Sequence, residues 1–458
     1  MVQDASTVSR RSLLKQAAAI GAGTAAGLIG GSPQEAQAVA SPAIQAPAIQ
    51  TGTQAGRQFR AYVVRTNPPG TSIQGSNAAI EQLTLKALDD DRVVVRTEAC
   101  QVCYTITGQS VGNYEMPRAL GHGAVGIVEA VGAKVQRVRV GDRVICVASP
   151  ACGQCYTCLR GRADRCQFLS IGFQPYATLA DGTEVIQHDN TCGFSELMVP
   201  LEWACIPVPS THLSAVELAM LADVCCCGLG TVFGMAPVEQ GSDVAVLGCG
   251  PVGLSAVQGA RIKGASQIIA VDPIQVRRDL ALQLGATAVL DPNVEGANLV
   301  AKIRSMCEFP NDRRLAGGRD TTLTRNNAGP DYVIEAVGGD LFPPKATVGP
   351  DPTGMMSLQQ AWELCSAAGH LTTVSAGQRG NFSVPAAQWS NGAKSHHSGN
   401  MVGTNALRDI PRFVRLADNG QFNAKALATS TFPLERAKDA LQIVADRMTI
   451  AAVLLFDA

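Results

Sequence analysis

The sequence predicts a fold of the α/β plus β class, in which an all-β lobe precedes a doubly wound parallel sheet. From about Phe59 to Pro200, runs rich in Val, Ile and Thr, such as "DRVVVRTEAC" and "GDRVICVA", alternate with glycine turns, which is typical of strands. From about Ala215, apolar runs such as "DVAVLGCG" and "QIIAVDP" alternate with helical stretches such as "QVRRDLALQLG". This alternation predicts parallel strands covered by helices. A chain of 458 residues is long enough for two such domains.

The N-terminus carries the features of an export signal. Arg10 and Arg11 form a twin-arginine pair in "SRRSLLK", and an apolar Gly/Ala-rich stretch and small residues suitable for cleavage follow. Their order predicts a twin-arginine signal peptide at residues 1–38, and the alternative is a chance basic turn before an Ala-rich helix. Residues 39–57 are predicted to be an extended linker. We therefore expect the twin-arginine export machinery as a partner, a periplasmic or other extracytoplasmic location, and no stable membrane span.

Charge and cysteine content narrow the function classes. The formal net charge is −1, so no broad basic field favours nucleic acid, and we expect no nucleic-acid partner. The 15 cysteines are odd in number and clustered, whereas a disulfide framework is typical of small secreted chains. A chain that folds and binds metal before export can keep clustered thiols reduced even in an oxidising compartment.

One cysteine cluster has the spacing of a closed metal site. The stretch "CGQCYTCLRGRADRC" follows the pattern C-x2-C-x2-C-x7-C, within a predicted lobe at residues 150–168. Four thiolates fill a tetrahedral zinc shell and leave no position for water or substrate, so such a site is structural. The alternative is two disulfides or free thiols. The predicted ligands are Cys152, Cys155, Cys158 and Cys166.

A glycine motif predicts a dinucleotide site. Gly248, Gly250 and Gly253 follow the run "VAVL" and open a predicted helix, where they allow a tight turn, approach of a pyrophosphate and close helix–strand packing. Asp272 ends the next strand, where a carboxylate binds ribose hydroxyls and repels a 2′-phosphate, so NAD is favoured over NADP. Arg277 lies one helical turn further and could flank the ribose. The alternative role of Asp272 is a helix N-cap.

Together these motifs resemble the zinc-dependent medium-chain alcohol dehydrogenase family. The resemblance runs from Phe59 to the C-terminus and rests on "GHGAVGIVEAVG", "VGDRV", the four-cysteine lobe, "GCGPVG" and Asp272, in family order. It implies a GroES-like β-barrel catalytic domain at 58–223, a Rossmann NAD-binding domain at 224–400, and a return to the catalytic domain at 401–458. It also implies a small alcohol or aldehyde substrate and a homo-oligomer, either dimer or tetramer.

The resemblance implies a second, catalytic zinc with three protein ligands. The first is Cys103 in "EACQVCYTITG", with Cys100 as the rival, and the second is His122 in "LGHGAVG". For the third, "LADVCCCGLG" favours Asp223, with Cys225 as the alternative, because the spacing to Gly248 matches and "LAD" resembles the formaldehyde dehydrogenase and dismutase branch. The expected cofactors are therefore two zinc ions per chain and NAD.

The implied chemistry uses a hydroxyl relay, although some family features are missing. Zinc would lower the pKa of the alcohol, Thr105 would take its proton, and hydride would pass to NAD, with Val374 among the cofactor-binding residues. The family often has an Asp that orients the ligand histidine where this chain has Ile106, and a Glu where it has Gly123. Its proton-shuttling His is replaced by Gly108. Such partners tune a metal site, so we expect altered zinc affinity or proton release.

Export implies that NAD is carried with the folded chain, because no free NAD pool is expected outside the cytoplasm. Dismutase relatives hold their cofactor tightly, and they resemble this chain in an insertion, here Gly338–Met356, and in the "AKSH" segment. We expect the insertion to slow NAD release by folding over the adenosine end, or else to be a surface loop. The competing hypotheses are a non-catalytic remnant that binds nucleotide or zinc, and an enzyme without catalytic zinc, as in quinone-reductase relatives.

Overall fold

The structure, a computed structural model, describes residues 54–170, 173–307, 328–342, 351 and 353–457. The predicted signal peptide lies outside these described residues, as does nearly all of the predicted linker. Within the described part of the chain, an N-terminal β lobe is followed by a parallel-sheet domain. The α/β plus β fold class expected from the sequence is confirmed.

The β lobe consists of a closed barrel and an adjoining sheet. The barrel strands, in spatial order, are Gln58–Val64, Ala78–Leu85, Pro175–Thr178, Glu184–Gln187 and Arg118–Ala119. The second sheet has the order Cys205–Pro207, Arg143–Cys146, Ala124–Val131, Val93–Val102, Ala451–Leu455 and Ala428–Pro433, and Leu197–Met198 also pairs with Val93–Val102. One apolar cluster joins barrel and sheet, because their Val, Leu and Phe side chains share a core.

The end of the chain completes this second sheet. Ala451–Leu455 pairs antiparallel with Val93–Val102, so that Ala452 lies opposite Val102. The strand Val93–Val102 is therefore central to the lobe and carries the loop that begins at Cys103. The predicted domain boundaries near residues 223 and 400 stay predictions.

The second domain is a parallel sheet with its switch point at the glycine motif. Its strands, in spatial order, are Ala288–Leu290, Gln267–Val271, Asp243–Leu247, Tyr332–Glu335, His370–Thr373 and Ser395–Ser398, and all neighbours are parallel. The chain leaves Asp243–Leu247 toward one edge and then returns to its other side at Tyr332–Glu335. Ligands of such sheets bind at the carboxyl ends of the strands where the order reverses. Gly248 follows the first of these two strands directly.

Helices cover both faces of the parallel sheet and link it to the β lobe. In the parallel-sheet domain they are Pro251–Lys263, Gln275–Leu284, Pro292–Glu295, Leu299–Met306, Met355–Leu364 and Ala386–Asn391. The remaining α-helices are Tyr104–Gln109, Tyr156–Leu159, Ala215–Ala222, Val224–Phe233, Ala406–Asp418 and Ala437–Ala445. Short 3-10 helices are Ala163–Arg165, Gln167–Ser170, Glu202–Ala204, Gly296–Asn298, Asn400–Gly403, Lys425–Leu427 and Leu434–Arg436.

A sharp break between two buried helices places one polar residue in the interior. Ala215–Ala222 starts at a capping box in which Ser214 and Glu217 satisfy each other's backbone N–H groups. Val224–Phe233 follows at an angle of 53°, and the break falls on Asp223. In the described residues no single helix has the length and apolarity to cross a membrane, although this bent pair passes that test on length and composition.

Alanine substitution should have different effects at two glycines of the motif. A Cβ at Gly253 would lie 1.8 Å from the carbonyl oxygen of Gly248, whereas at Gly250 the nearest atom is 4.0 Å away. We expect Gly253→Ala to lower the free energy of unfolding by about 1–3 kcal/mol through overpacking. Gly250→Ala should stay within about 0.5 kcal/mol of the parent. Urea unfolding followed by circular dichroism measures both, and equal losses would contradict this packing.

Candidate active site

Three predicted metal ligands meet at one point. The Cys103 sulfur, a His122 ring nitrogen and an Asp223 carboxylate oxygen all lie within 4.8 Å of one another. Cys103 precedes the short helix after the central strand, His122 follows a barrel strand, and Asp223 occupies the break between two buried helices. The fold thus gathers a thiol, an imidazole and a carboxylate from distant parts of the chain.

These three side chains fit a zinc ion. Sulfur, imidazole nitrogen and carboxylate oxygen are its usual protein ligands, and three of them leave a position open for catalysis. His122 Nε2 lies 3.5 Å from Asp223 Oδ2, and that oxygen is buried without a hydrogen-bond partner. A buried carboxylate oxygen without a donor is costly. A cation among the three ligand atoms removes this cost.

The rival cysteines lie elsewhere. The Cys100 thiol is fully buried and lies near the carbonyl oxygens of Gln101 and His122. Cys225 is fully buried in its helix, and burial raises the pKa of its thiol to about 12. Neither belongs to the metal-ligating group among the described residues, which contains Cys103 and Asp223 instead.

Gly123 explains how the carboxylate approaches the histidine. Its φ is +76°, a conformation that side-chain-bearing residues rarely adopt, and an added Cβ would lie 2.5 Å from the Asp223 Cβ. The glutamate that the family often carries at this position is thus incompatible with Asp223 at this distance. The glycine at position 123 and the acidic third ligand Asp223 are therefore structurally linked, since the first makes room for the second.

A carboxylate that the sequence analysis missed contacts His122. Asp189 Oδ2 lies 2.8 Å from His122 Nδ1. Burial alone would raise the pKa of Asp189, but the hydrogen bond and charge of His122 hold it at about 2. Burial lowers the pKa of His122, yet Asp223, Asp189 and Cys103 outweigh it and raise that pKa well above its ordinary value. The polar run "HDNTCG" marked this loop as unusual, but nothing local linked it to His122.

Thr105 lies against the ligand cluster, as its predicted role requires. Its hydroxyl donates to the Cys103 sulfur at 3.1 Å and lies 3.3 Å from His122 Nε2. The next residue, Ile106, is fully buried in the apolar core of the β lobe. A hydroxyl at this place can exchange a proton with an oxygen held beside the same ligands.

A short bridging segment, Asp340–Phe342, connects the parallel-sheet domain to the β lobe. The Tyr104 hydroxyl accepts hydrogen bonds from the backbone N–H groups of Leu341 at 3.0 Å and Phe342 at 3.3 Å. Asp340 forms an ion pair with Arg447. A Cβ at Gly108 would lie 2.7 Å from a Leu341 methyl carbon. The place of the family's proton-shuttling histidine is therefore filled by Leu341 packing against a glycine.

The four-cysteine lobe forms a second possible zinc site. The four sulfurs lie within 4.8 Å of one another, and the closest pairs are separated by 3.9 and 4.0 Å, which excludes disulfide bonds. Burial opposes ionisation, but hydrogen bonds from the Gln167 backbone and the Thr157 hydroxyl lower the pKa of the Cys155 thiol to about 5. Phe168 and Trp203 pack against the sulfurs. The predicted ligands thus surround one point, and a metal there is closed to substrate.

The residues predicted to bind the nucleotide lie next to one another at the carboxyl ends of the strands. Asp272 Oδ2 accepts a hydrogen bond from the Cys249 N–H, and its Oδ1 accepts one from the Ile274 N–H, both at 2.8 Å. The N-cap of the next helix is Ile274, so the capping alternative for Asp272 does not hold. Both carboxylate oxygens keep lone pairs for ribose hydroxyls.

A basic side chain and an uncrowded glycine lie close to this carboxylate. Arg277 Nη1 lies 3.9 Å from Asp272 Oδ2, and its buried Nε has no hydrogen-bond partner. Beside Gly250 no atom approaches a Cβ position closer than 4.0 Å. Val374 follows the strand His370–Thr373, where its N–H donates to the Glu335 carbonyl. A basic group, an acid and an open glycine turn thus lie together at the carboxyl ends of the strands, as the dinucleotide motif predicts.

Comparisons with known proteins give two family matches. Residues 89–210 match the alcohol dehydrogenase GroES-like domain, and residues 251–418 match the zinc-binding dehydrogenase domain. Together the two matches cover more than half of the chain.

Individual relatives agree with these matches. An S-(hydroxymethyl)glutathione dehydrogenase of Saccharomyces cerevisiae is 33% identical over 265 residues, which is 54% of this chain and 65% of that enzyme. Alcohol dehydrogenase 6 of Peromyscus maniculatus is 27% identical over 397 residues, covering 83% of this chain and 95% of that protein. The crystal structure of an alcohol dehydrogenase zinc-binding domain protein from Burkholderia ambifaria has a TM-score of 0.71 and 27% identity, covering 88% of this chain and all of that one.

Metal content distinguishes the two candidate third ligands. We expect the parent chain to hold about two zinc ions and Asp223→Ala about one, because three-ligand binding is lost while the four-cysteine lobe is untouched. Cys225→Ala is the matched control and should keep both ions. Elemental analysis of the purified variants measures this. Loss of zinc from Cys225→Ala, with full occupancy in Asp223→Ala, would reverse the assignment.

Proposed function

The chain belongs to the zinc-dependent medium-chain alcohol dehydrogenase family, and we propose that it transfers hydride between a small alcohol or aldehyde and NAD. The observation that carries the proposal is the convergence of Cys103, His122 and Asp223, with the Thr105 hydroxyl against them. Zinc held by these ligands supplies a Lewis acid that lowers the pKa of a substrate hydroxyl. NAD supplies the hydride acceptor.

The protein's own groups supply positioning and proton transfer. Thr105 takes the substrate proton, since its hydroxyl lies at the ligand cluster. Asp272 and Arg277 bind the ribose end of the nucleotide, and Asp272 favours NAD over NADP by repelling a 2′-phosphate. The glycine turn at Gly248 would hold the pyrophosphate of NAD at the switch point of the parallel sheet.

The structure weakens the non-catalytic alternative. That hypothesis rested on missing carboxylates at Ile106 and Gly123. Asp189 supplies a carboxylate to His122, and Gly123 is required for the approach of Asp223. An enzyme without catalytic zinc is also disfavoured, because all three ligand atoms converge.

We further propose that NAD is held tightly, reduced by one substrate molecule, and reoxidised in place when its hydride and a proton pass to a second, aldehyde substrate, as in a dismutase. The bridging segment, which follows the carboxyl end of the strand Tyr332–Glu335, ties the nucleotide domain to the β lobe through Tyr104 and Arg447. Leu341 also fills the place of the shuttling histidine at Gly108, which suits a cycle that retains its proton. Residues 343–350 of the predicted insertion lie outside the described residues. The expected dimer or tetramer stays a prediction.

Substitution of Thr105 tests the proposed reaction. We expect Thr105→Val to lower kcat/KM by about 100-fold or more, because proton transfer by a positioned group contributes about that much. Thr105→Ser keeps the hydroxyl and should stay within about tenfold of the parent. A panel of alcohols and aldehydes, assayed by redox dye without added nucleotide and by added NAD, measures both variants. Full activity in Thr105→Val would remove the relay from the mechanism.

Cell fractionation combined with nucleotide analysis tests captive NAD together with export. We expect the chain in the periplasmic fraction with about one NAD per chain, released only by denaturation, because an exported enzyme needs its own hydride carrier. Replacing Arg10 and Arg11 by Lys is the control and should retain the chain in the cytoplasm. A periplasmic chain without nucleotide, active only on added NAD, would contradict captive binding; equal fractionation of both chains would contradict the signal peptide.

A further inference from the structure

We propose that Asp189 is the positioning residue of the catalytic metal site, supplying from another loop the carboxylate that the family often places where this chain has Ile106. The inference rests on the proposed zinc at Cys103, His122 and Asp223. It is carried by the 2.8 Å contact between Asp189 Oδ2 and His122 Nδ1.

The contact determines which ring nitrogen faces the metal. A neutral histidine carries one N–H, and the ring nitrogen that donates to a carboxylate is the protonated one. With Nδ1–H donating to Asp189, the Nε2 lone pair faces Asp223 Oδ2 at 3.5 Å and the Thr105 hydroxyl at 3.3 Å. A carboxylate partner also makes the ligating nitrogen more basic and fixes the ring plane. Asp189 thus prepares His122 to bind metal.

Asp189 also connects His122 to the loop of the first ligand. Its Oδ2 accepts a hydrogen bond from Gln109 Nε2 at 3.2 Å and lies 3.4 Å from His188 Nε2. Gln109 ends the short helix whose N-cap is Cys103. One carboxylate oxygen of Asp189 therefore contacts both the His122 ring and the short helix that follows Cys103.

The loop that carries Asp189 has a strained backbone conformation. Asp189, Asn190 and Cys192 have φ values of +53°, +61° and +51°, a region that residues other than glycine rarely occupy. Hydrogen bonds to the segment before His122 oppose this strain. The Thr191 hydroxyl donates to the Gly121 carbonyl at 2.6 Å, and the Gly193 N–H donates to the same oxygen at 2.9 Å.

The Asp189 loop is therefore hydrogen-bonded to Gly121, the residue that precedes His122. The Asn190 amide adds hydrogen bonds to the carbonyl oxygens of Ala148 and Leu169. Strain kept at a site that contacts a metal ligand indicates a positioning role. Ile106 cannot serve instead, because its side chain has no hydrogen-bond acceptor, and it packs in the apolar core.

The test is the zinc affinity of the site at Cys103, His122 and Asp223, measured by chelator competition on the full chain. We expect Asp189→Ala to bind this zinc about 10–100-fold more weakly, because removal of a ligand's supporting partner has that effect. Asp189→Asn keeps an acceptor without the charge and should recover part of the loss. The zinc of the four-cysteine lobe is the internal standard for folding.

Asp181→Asn is the matched control, since Asp181 is an exposed carboxylate that accepts from the Thr183 N–H in a turn. It should leave zinc affinity unchanged. Visible spectra of cobalt bound in place of the zinc at Cys103, His122 and Asp223 give another readout. They should change in Asp189→Asn but not in the control. If Asp189→Ala does not fold, Asp189→Asn decides alone.

The outcomes separate this inference from the proposed function. Zinc affinities within twofold of the parent in the Asp189 variants, with unchanged cobalt spectra, overturn the positioning role while two zinc ions remain in the parent. A parent chain that binds zinc only in the four-cysteine lobe overturns the proposed catalytic site and this inference with it.

Discussion

The approach of the Asp223 carboxylate to Cys103 and His122 is the constraint on which the rest of the site depends. A buried carboxylate oxygen without a donor is costly, and a cation among the three ligand atoms relieves that cost. The requirement explains the helix break at Asp223, where the chain turns by 53° inside the core. It also explains Gly123, because an added Cβ there would lie 2.5 Å from the Asp223 Cβ.

The surrounding residues show a rearranged version of a familiar design. Asp189 reaches His122 from a strained loop, while the family's usual position for that carboxylate is the buried Ile106. Leu341 packs against Gly108 where a proton-shuttling histidine is often found. The same segment joins the two domains through Tyr104. A carboxylate contact to the metal-ligand histidine is thus retained by another route, whereas an apolar contact occupies the place of the shuttling histidine.

Local patterns were sufficient for much of the fold and for part of the site. The glycine motif, the strand-end Asp272 and the four-cysteine spacing each have a short-range physical reason, so the sequence predicted them directly. The sequence shows Ile106 where the family often carries the carboxylate that orients the ligand histidine, but it does not reveal that Asp189 contacts His122. Asp189 comes from a loop 67 residues away, and only tertiary packing brings it to the imidazole. Spacing and the resemblance of "LAD" favoured Asp223 over Cys225, and in the structure it is Asp223 whose carboxylate lies within 4.8 Å of the Cys103 and His122 ligand atoms.

The most direct test of the central claim is diffraction from crystals of the full chain at the zinc absorption edge. The account predicts two anomalous peaks per chain, one within the four-cysteine lobe and one bounded by Cys103, His122 and Asp223. A single peak in the four-cysteine lobe, with Asp223 turned toward solvent or paired with another side chain, would contradict it.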